Sequence, residues 1–368
     1  MKIRYLLILL ALLGSLQLAN AQLKLIPANF AMLPGWQHGA QSQAIGAFKQ
    51  SCRKELKLAK YRNPRTNIRA RSSYINDCQK VLTMPHNISN QAARAFFTSY
   101  FRPYMVTNNG NPKGLFTGYY LPSIKGSLGP TNSYRVPIYG KPNNLIRVNI
   151  NGHSRYRLRT SHGYALPPTR QQVSQGPILT HTPIIAWVHS KIDRFFLQIQ
   201  GSGTIKLANS RTILVGYGSQ NGYAYYPIGR YLVHKGYLST SNVSMQTIIA
   251  WLKAHPGQAD AVMNLDKSFV FFRKMPTNQP VGAEGVPLTP GRSIAVDTRL
   301  ITLGLPVWLS TKLPPTQQAF NRLMLTQDTG GAIRGAVRAD IFWGSGPKAA
   351  YLAGHLQATG RYWLLMPK

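Results

Sequence analysis

The chain has 368 residues, with 43 Lys or Arg against 9 Asp or Glu and a formal net charge of +34. Such a surface attracts polyanions: nucleic acid, anionic lipid, or a cell wall bearing peptide carboxylates. The basic residues are spread along the whole chain with no dense stripe or known module, which argues against nucleic acid. The 2 cysteines and 9 histidines form no HExxH, HxxxH or Cys/His ligand spacing, which argues against a metal site.

In chain order, Met1 to Ala21 reads as an export signal. Lys2 and Arg4 precede an apolar run from Leu6 to Leu13, too short to span a bilayer, and Ala19-Asn20-Ala21 supplies a small-x-small cleavage pattern. The mature chain is expected to begin at Gln22, with no cysteine there to take a lipid. What remains is long enough for two domains, or for one with a large insertion.

From Ser42 to Tyr61, Ile45, Phe48, Cys52, Leu56 and Ala59 recur at helical spacing. A second helix follows Asn90, with Ala93, Phe96, Phe97, Tyr100 and Phe101 on its apolar face, and Pro103 ends it. Cys52 and Cys78 form an even pair in an exported chain, so a disulfide joining two N-terminal helices is expected. Gly114 to Tyr120 reads as a turn entering a strand.

Beyond residue 120 the apolar period becomes two. Strands are predicted at Arg135–Tyr139, Leu145–Ile150 and Arg155–Arg159. Ile184–Val188 and Phe195–Gln200 flank Lys191-Ile192-Asp193, which suggests a hairpin ending in Gly201-Ser202-Gly203. That glycine-flanked serine lacks the lysine of a phosphate loop and the GxSxG of a hydrolase elbow. Val243–Ala254 reads as a helix closed by Pro256. Residues 121 to about 260 thus read as a β-rich unit with its own core, followed by short strands at Phe269–Phe272, Ser293–Val296, Val307–Leu309, Leu323–Thr326 and Tyr362–Leu365.

Any carboxylate chemistry must draw on Glu55, Asp77, Asp193, Asp260, Asp266, Glu284, Asp297, Asp328 and Asp340. Asp297, Asp328 and Asp340 share a setting, each after a short apolar or small-residue stretch and before a polar or glycine-bearing turn. One such aspartate is readily a turn former that bonds its own backbone; three of nine in the last quarter suggest a shared site.

The segments around them are Gly285-Val286-Pro287-Leu288-Thr289-Pro290, Arg292 to Asp297, Gln327 to Ile333, and Ala339-Asp340-Ile341-Phe342-Trp343-Gly344-Ser345-Gly346. Together they resemble the 3D domain, named for three aspartates. Leu33-Pro34-Gly35-Trp36, Phe116-Thr117-Gly118-Tyr119-Tyr120, Ile185-Ala186-Trp187-Val188, Phe195 to Gly203 and Tyr226-Pro227-Ile228-Gly229-Arg230 extend the resemblance, in order, to the MltA family of lytic murein transglycosylases.

The resemblance implies a mainly β fold. A double-psi β-barrel would be built from both chain ends, residues 22–120 with a few N-terminal helices and residues 261–368. A second β-barrel-like domain, 121–260, would be inserted, with a groove between. It further implies cleavage of the MurNAc-β-1,4-GlcNAc bond of peptidoglycan with a 1,6-anhydro product, no cofactor, and Asp340 as the single catalytic acid. Asp328 and Asp297 would orient or tune that acid. Thr117, Gly118, Tyr119, Gln200, Gly201 and Ser202 match positions lining the cleft. Tyr119 and Trp187 could stack on sugar rings, and Ile341, Phe342 and Trp343 could cover Asp340 or simply be core.

The implied partners are peptidoglycan glycan strands, cell-wall synthesis or scaffold proteins, and the anionic envelope, with no nucleic acid. The implied location is the periplasm or the outer membrane without a lipid anchor. The alternative on the same fold is a non-catalytic peptidoglycan- or polyanion-binding protein.

Overall fold

The computed structural model describes residues 22–63, 66–85, 87–175 and 182–368; the expected export signal lies outside them. The N-terminal part contains β1 (Leu23–Pro27), α1 (Ser42–Leu58), α2 (Ser72–Thr83), α3 (Asn90–Tyr100), β2 (Phe101–Asn108) and β3 (Gly114–Leu121). There follow β4 (Ser123–Ser127), β5 (Val136–Tyr139), β6 (Leu145–Ile150), β7 (His153–Thr160), β8 (Gly163–Ala165), α4 (Arg170–Gln175) and β9 (Ile184–Val188). Next come α5 (Lys191–Gln200), β10 (Ser202–Lys206), β11 (Thr212–Gln220), α6 (Ile228–His234), α7 (Met245–Ala254), α8 (Pro256–Asn264) and β12 (Val270–Lys274). The C-terminal part holds β13 (Ser293–Val296), β14 (Pro306–Leu313), β15 (Gln318–Asp328), β16 (Arg338–Ser345), α9 (Pro347–His355) and β17 (Gln357–Pro367).

The fold is mainly β. Strands β17, β14, β15, β13, β16 and β3 pair in that order, and β3 pairs back with β17, closing a six-stranded barrel from both ends of the chain. Strands β2 and β1 extend from β17. A second sheet, β12-β11-β10-β4-β9-β5, is built from the intervening chain and runs on to Lys274, and β6-β7-β8 form a small third sheet.

Closure leaves the barrel strands without free edges, and the N-terminal helices cover its apolar face. Phe48 of α1 lies fully buried among Tyr74, Phe96, Phe97 and Phe101, with ring centroids 5.7–6.3 Å apart. Each such ring contributes roughly 1.5–3 kcal/mol by burial. Cys52 and Cys78 are bridged and tie α1 to α2, with Cα atoms 4.9 Å apart.

Two predicted elements are different. Phe195–Gln200 is no hairpin strand but the body of α5, which begins at Lys191. Ser190 caps it by accepting from the Asp193 amide at 3.0 Å, and Gly201 closes it with φ 74°. Phe195, Phe196, Leu197 and Ile199 are apolar at nearly every step, so the run fits either period. The cap and the helical spacing of Ile192, Phe195, Phe196 and Ile199, packed on Leu232 and Trp251, decide for helix. Pro256 likewise does not merely close the preceding helix; it opens α8 at a first-turn position, where its missing N–H costs nothing.

Candidate active site

Strand β16 lies parallel to β3 and antiparallel to β13, placing Asp340 opposite Thr117 on one side and Ala295 on the other. The strand period of two puts Asp340 and Phe342 on the same face as Thr117 and Tyr119, while Phe116, Ala339 and Ile341 enter the main core. Asp340 therefore lies inside a strand, not ahead of a turn as its local sequence suggested.

Two hydroxyls organise the carboxyls. Thr117 Oγ1 donates to Asp340 Oδ1 at 2.7 Å and itself accepts from Arg338 Nη2 at 2.8 Å. Two residues on, the Tyr119 hydroxyl donates to Asp328 Oδ2 at 2.7 Å. Asp328 ends β15, and its other oxygen accepts from the amides of Ala283 at 2.8 Å and Thr329 at 2.9 Å.

Burial pushes the Asp340 carboxyl above the usual carboxylate range, against the opposing charge of Arg338 and the Thr117 hydrogen bond. Burial likewise raises Asp328; the Tyr119, Ala283 and Thr329 bonds oppose it, and the charge of Asp340 adds to it. Phe342 packs on Tyr119 with ring centroids 5.3 Å apart, in a cluster that includes Leu214 and Met275 from the second sheet side. The carboxyl pair thus lies where the barrel meets the second lobe. Tyr225, from that lobe, is pushed up to about 12 by burial and by the charges of Asp266 and Asp340, against that of Arg170.

The remaining expected residues divide. The Gln200 side chain, at the end of α5, accepts from the Tyr120 amide at 3.0 Å and links the lobes beside Tyr119. Gly201 and Ser202 follow it directly into β10. Gly118 faces the other way from Asp340: an added Cβ would stand 2.5 Å from Trp343 Nε1 and 3.0 Å from Ala353 Cα, so glycine makes room for Trp343 and α9. Trp187 lies in β9, paired with β4 and β5 in the second sheet. Of the three residues after Asp340, Phe342 is on the carboxyl face, Ile341 is core and Trp343 packs on Phe320 at 5.5 Å.

Asp297 has its own partners. Its buried carboxylate takes the Arg299 fork at 2.9 and 2.6 Å, with the Gly335 amide at 2.9 Å. Burial alone would raise its pKa, but the Arg299 and Gly335 bonds outweigh that and hold it at about 2.

Sequence reasoning missed the frame behind Asp328. Gln327 accepts from Ser293 Oγ at 2.6 Å and donates to Ala47 O and Ser51 Oγ, both at 2.9 Å. Ser51 Oγ donates to Glu284 at 2.7 Å, and Arg69 bridges Glu284 and Glu55 at 2.7 and 2.9 Å. The Glu284 amide bonds Gln327 O at 3.0 Å, fixing the turn that presents the Ala283 amide to Asp328. Arg338 could have been found, because it lies two residues before Asp340 on the same strand face. The contacts of Arg69 and Ala283 carry no local signal.

Fold and site define a class: a two-lobed β protein whose closed barrel presents two carboxyls biased toward holding a proton where the lobes meet. Residues 115–273 match the MltA specific insert domain and residues 292–366 the 3D domain. The Membrane-bound lytic murein transglycosylase A of Escherichia coli K12 is 32% identical over 265 residues, 70% of this chain and 66% of that protein. The chain thus spans just under two thirds of that curated relative. MltA from Neisseria gonorrhoeae, in a monoclinic crystal form, is 32% identical with a TM-score of 0.77, covering 94% of this chain and 93% of that one. E. coli MltA with bound chitohexaose is 25% identical, with a TM-score of 0.67, and the match covers 94% and 91% of the two chains. The chain belongs to the MltA family. Among the described residues no helix is long and apolar enough to cross a membrane.

Proposed function

We propose that the chain is a lytic murein transglycosylase that cleaves the MurNAc-β-1,4-GlcNAc bond of peptidoglycan through one carboxyl, Asp340. The observation that carries this reading is the asymmetry of the pair. A hydrolase needs one carboxyl to protonate the leaving oxygen and a second to attack or to activate water. Asp328 already accepts three hydrogen bonds, whereas Asp340 keeps one oxygen without a protein donor among the described contacts.

Asp340 donates its proton to the glycosidic oxygen, and the bond from MurNAc C1 to that oxygen breaks. The C6 hydroxyl of the same MurNAc then attacks C1, closing the 1,6-anhydro ring, and its proton returns to the Asp340 carboxylate. No water enters the product, and one group serves as acid and then base. Asp328, fixed by Tyr119, is assigned to tuning the local charge. Asp297 is assigned to holding the Gly335 turn that leads into β16.

The names of the relatives support this reading, and the chitohexaose bound to E. coli MltA supports a β-linked amino-sugar chain as ligand. Residues 22–120 with 275–368 are taken as the catalytic part and 121–274 as the insert, which β12 carries past the expected end at 260, with Thr117, Tyr119, Gln200, Gly201 and Ser202 along the cleft between. The expected export signal and the +34 charge suit a protein working in the anionic envelope.

Digestion of purified sacculi, followed by mass spectrometry, tests the proposal. Anhydro-muropeptides are expected; reducing-end products would mean hydrolysis, and binding without release would mean the non-catalytic alternative.

A further inference from the structure

The outward side of the second sheet carries a cavity of about 550 Å³ lined by Lys125, Lys206, Tyr134, Ser210 and Thr212 among others. Lys125 of β4 and Lys206 of β10 are register partners on adjacent parallel strands, which lie about 4.8 Å apart. Both are exposed, and none of the nine Asp and Glu residues lines the cavity. Like charges side by side on neighbouring strands repel, and here no carboxylate of the protein relieves them.

The walls are built. At the β10–β11 tip, Leu207 N bonds Arg211 O at 2.8 Å and Ser210 N bonds Leu207 O at 3.1 Å, with Ser210 left-handed at φ 62°. Opposite, Thr131 N bonds Tyr134 O at 3.0 Å and Tyr134 N bonds Thr131 Oγ1 at 3.1 Å, fixing the tyrosine. Two ammonium groups with three hydroxyls and no acid favour an anion small enough to accept from several donors at once, as a carboxylate does.

The cavity shares a strand face with a residue of the expected cleft. Along β10, Gly203 and Ile205 turn inward, so Ser202, Thr204 and Lys206 share the outer face. Four strand steps, about 13 Å, separate Ser202 from Lys206. Ser202 follows Gln200, which bonds the Tyr120 amide beside Tyr119. A glycan lying along this track carries lateral peptide stems with free carboxylates.

We propose that Lys125 and Lys206 form a carboxylate subsite that takes the peptide stem of the glycan cut at Asp340. The inference rests on the reading of the chain as a peptidoglycan-cleaving enzyme, but its core observation, an unneutralised lysine pair in a formed cavity, does not.

The test uses the full mature chain and the double variant Lys125→Gln/Lys206→Gln. Titration with the tetrapeptide stem released from sacculi by an amidase should show binding that the double variant weakens about fivefold, as expected for exposed charge pairs. KM for stem-bearing glycan should rise about as far with kcat unchanged, while KM for amidase-stripped glycan stays put. Equal peptide binding by both proteins, or an equal rise in KM for both glycans, would overturn the subsite. If the wild-type chain cleaves neither glycan, the enzymatic reading fails and the peptide titration still decides the subsite.

Discussion

Asp297 directly follows β13 and Asp340 lies in its antiparallel neighbour β16, yet their surroundings drive them in opposite directions. Asp297 meets a guanidinium in fork geometry and the Gly335 amide, and is held ionised to a pKa of about 2. Asp340 meets a threonine hydroxyl, with Arg338 spent on Thr117 and backbone carbonyls, and burial lifts it above the usual range. A bidentate cation commits a carboxylate to structure; a single hydroxyl donor on a poorly solvated face leaves it able to carry a proton. The chemistry of a carboxyl here is set by its donors, not by its place in the barrel.

Asparagine at Asp340 breaks the comparison most severely. It keeps the shape but cannot give a proton, so turnover on sacculi should fall about 10²–10⁴-fold with glycan binding retained. Cleavage at the wild-type rate would remove Asp340 from the reaction. Asp328→Asn should cost less, on the order of tenfold, because it disturbs a hydrogen-bonded neighbour and not the donor itself. A loss equal to that of Asp340→Asn would make the two carboxyls equal partners.

Arg338→Met should act on pH before it acts on rate. The Arg338 charge opposes the rise of Asp340, so its removal lets the folded pKa climb further. The acid then stays protonated to higher pH, and the alkaline limb of the kcat profile should move up. An unmoved limb would show that Arg338 serves only to hold Thr117.

Asp297→Asn should leave that limb alone and lower stability. The folded pKa of about 2 lies below the ordinary 3.8, so the contribution is present above 3.8 and lost as pH falls through 2. Discounted for the exposure of Arg299, it amounts to about 1–2 kcal/mol at neutral pH. Urea unfolding from pH 7 to pH 2 should show wild type and variant converging at the acid end. Asp193→Asn is the smallest change: the carboxylate sits in the first turn of α5, where it interacts with the helix dipole by about 0.3–1 kcal/mol or less. Activity on sacculi should be unchanged, and a dead variant would move the site to the second lobe.

Much of this was written in the local sequence. Helices α1 and α3 follow from the apolar spacing over 42–61 and from 90 toward Pro103, though they end at Leu58 and Tyr100, and most strands follow from alternation between turn residues. The ordered motifs from Leu33 to Gly346 identified the family pattern that joins the two ends of the chain. The run Phe195–Gln200, expected as a strand after a turn at Lys191-Ile192-Asp193, is helical; its dense apolar residues satisfy both periods. There the deciding features were the Ser190 cap and the packing of one face on Leu232 and Trp251.

What the sequence determined by itself was therefore the repeating elements and a short list of acids, since periodic burial and scarcity are both local properties. Local pattern alone did not separate Asp297 from Asp340, because both follow small apolar residues in similar words of sequence; only the family resemblance singled out Asp340. Their difference lies in where the donors come from: Thr117 reaches Asp340 across 223 residues and Tyr119 reaches Asp328 across 209, both by tertiary structure, whereas Arg299 reaches Asp297 across only 2. Asp297 takes its guanidinium from two residues away, whereas the surroundings that raise Asp340 and Asp328 are made by barrel closure, because hydrogen bonds and desolvation depend on distance in space.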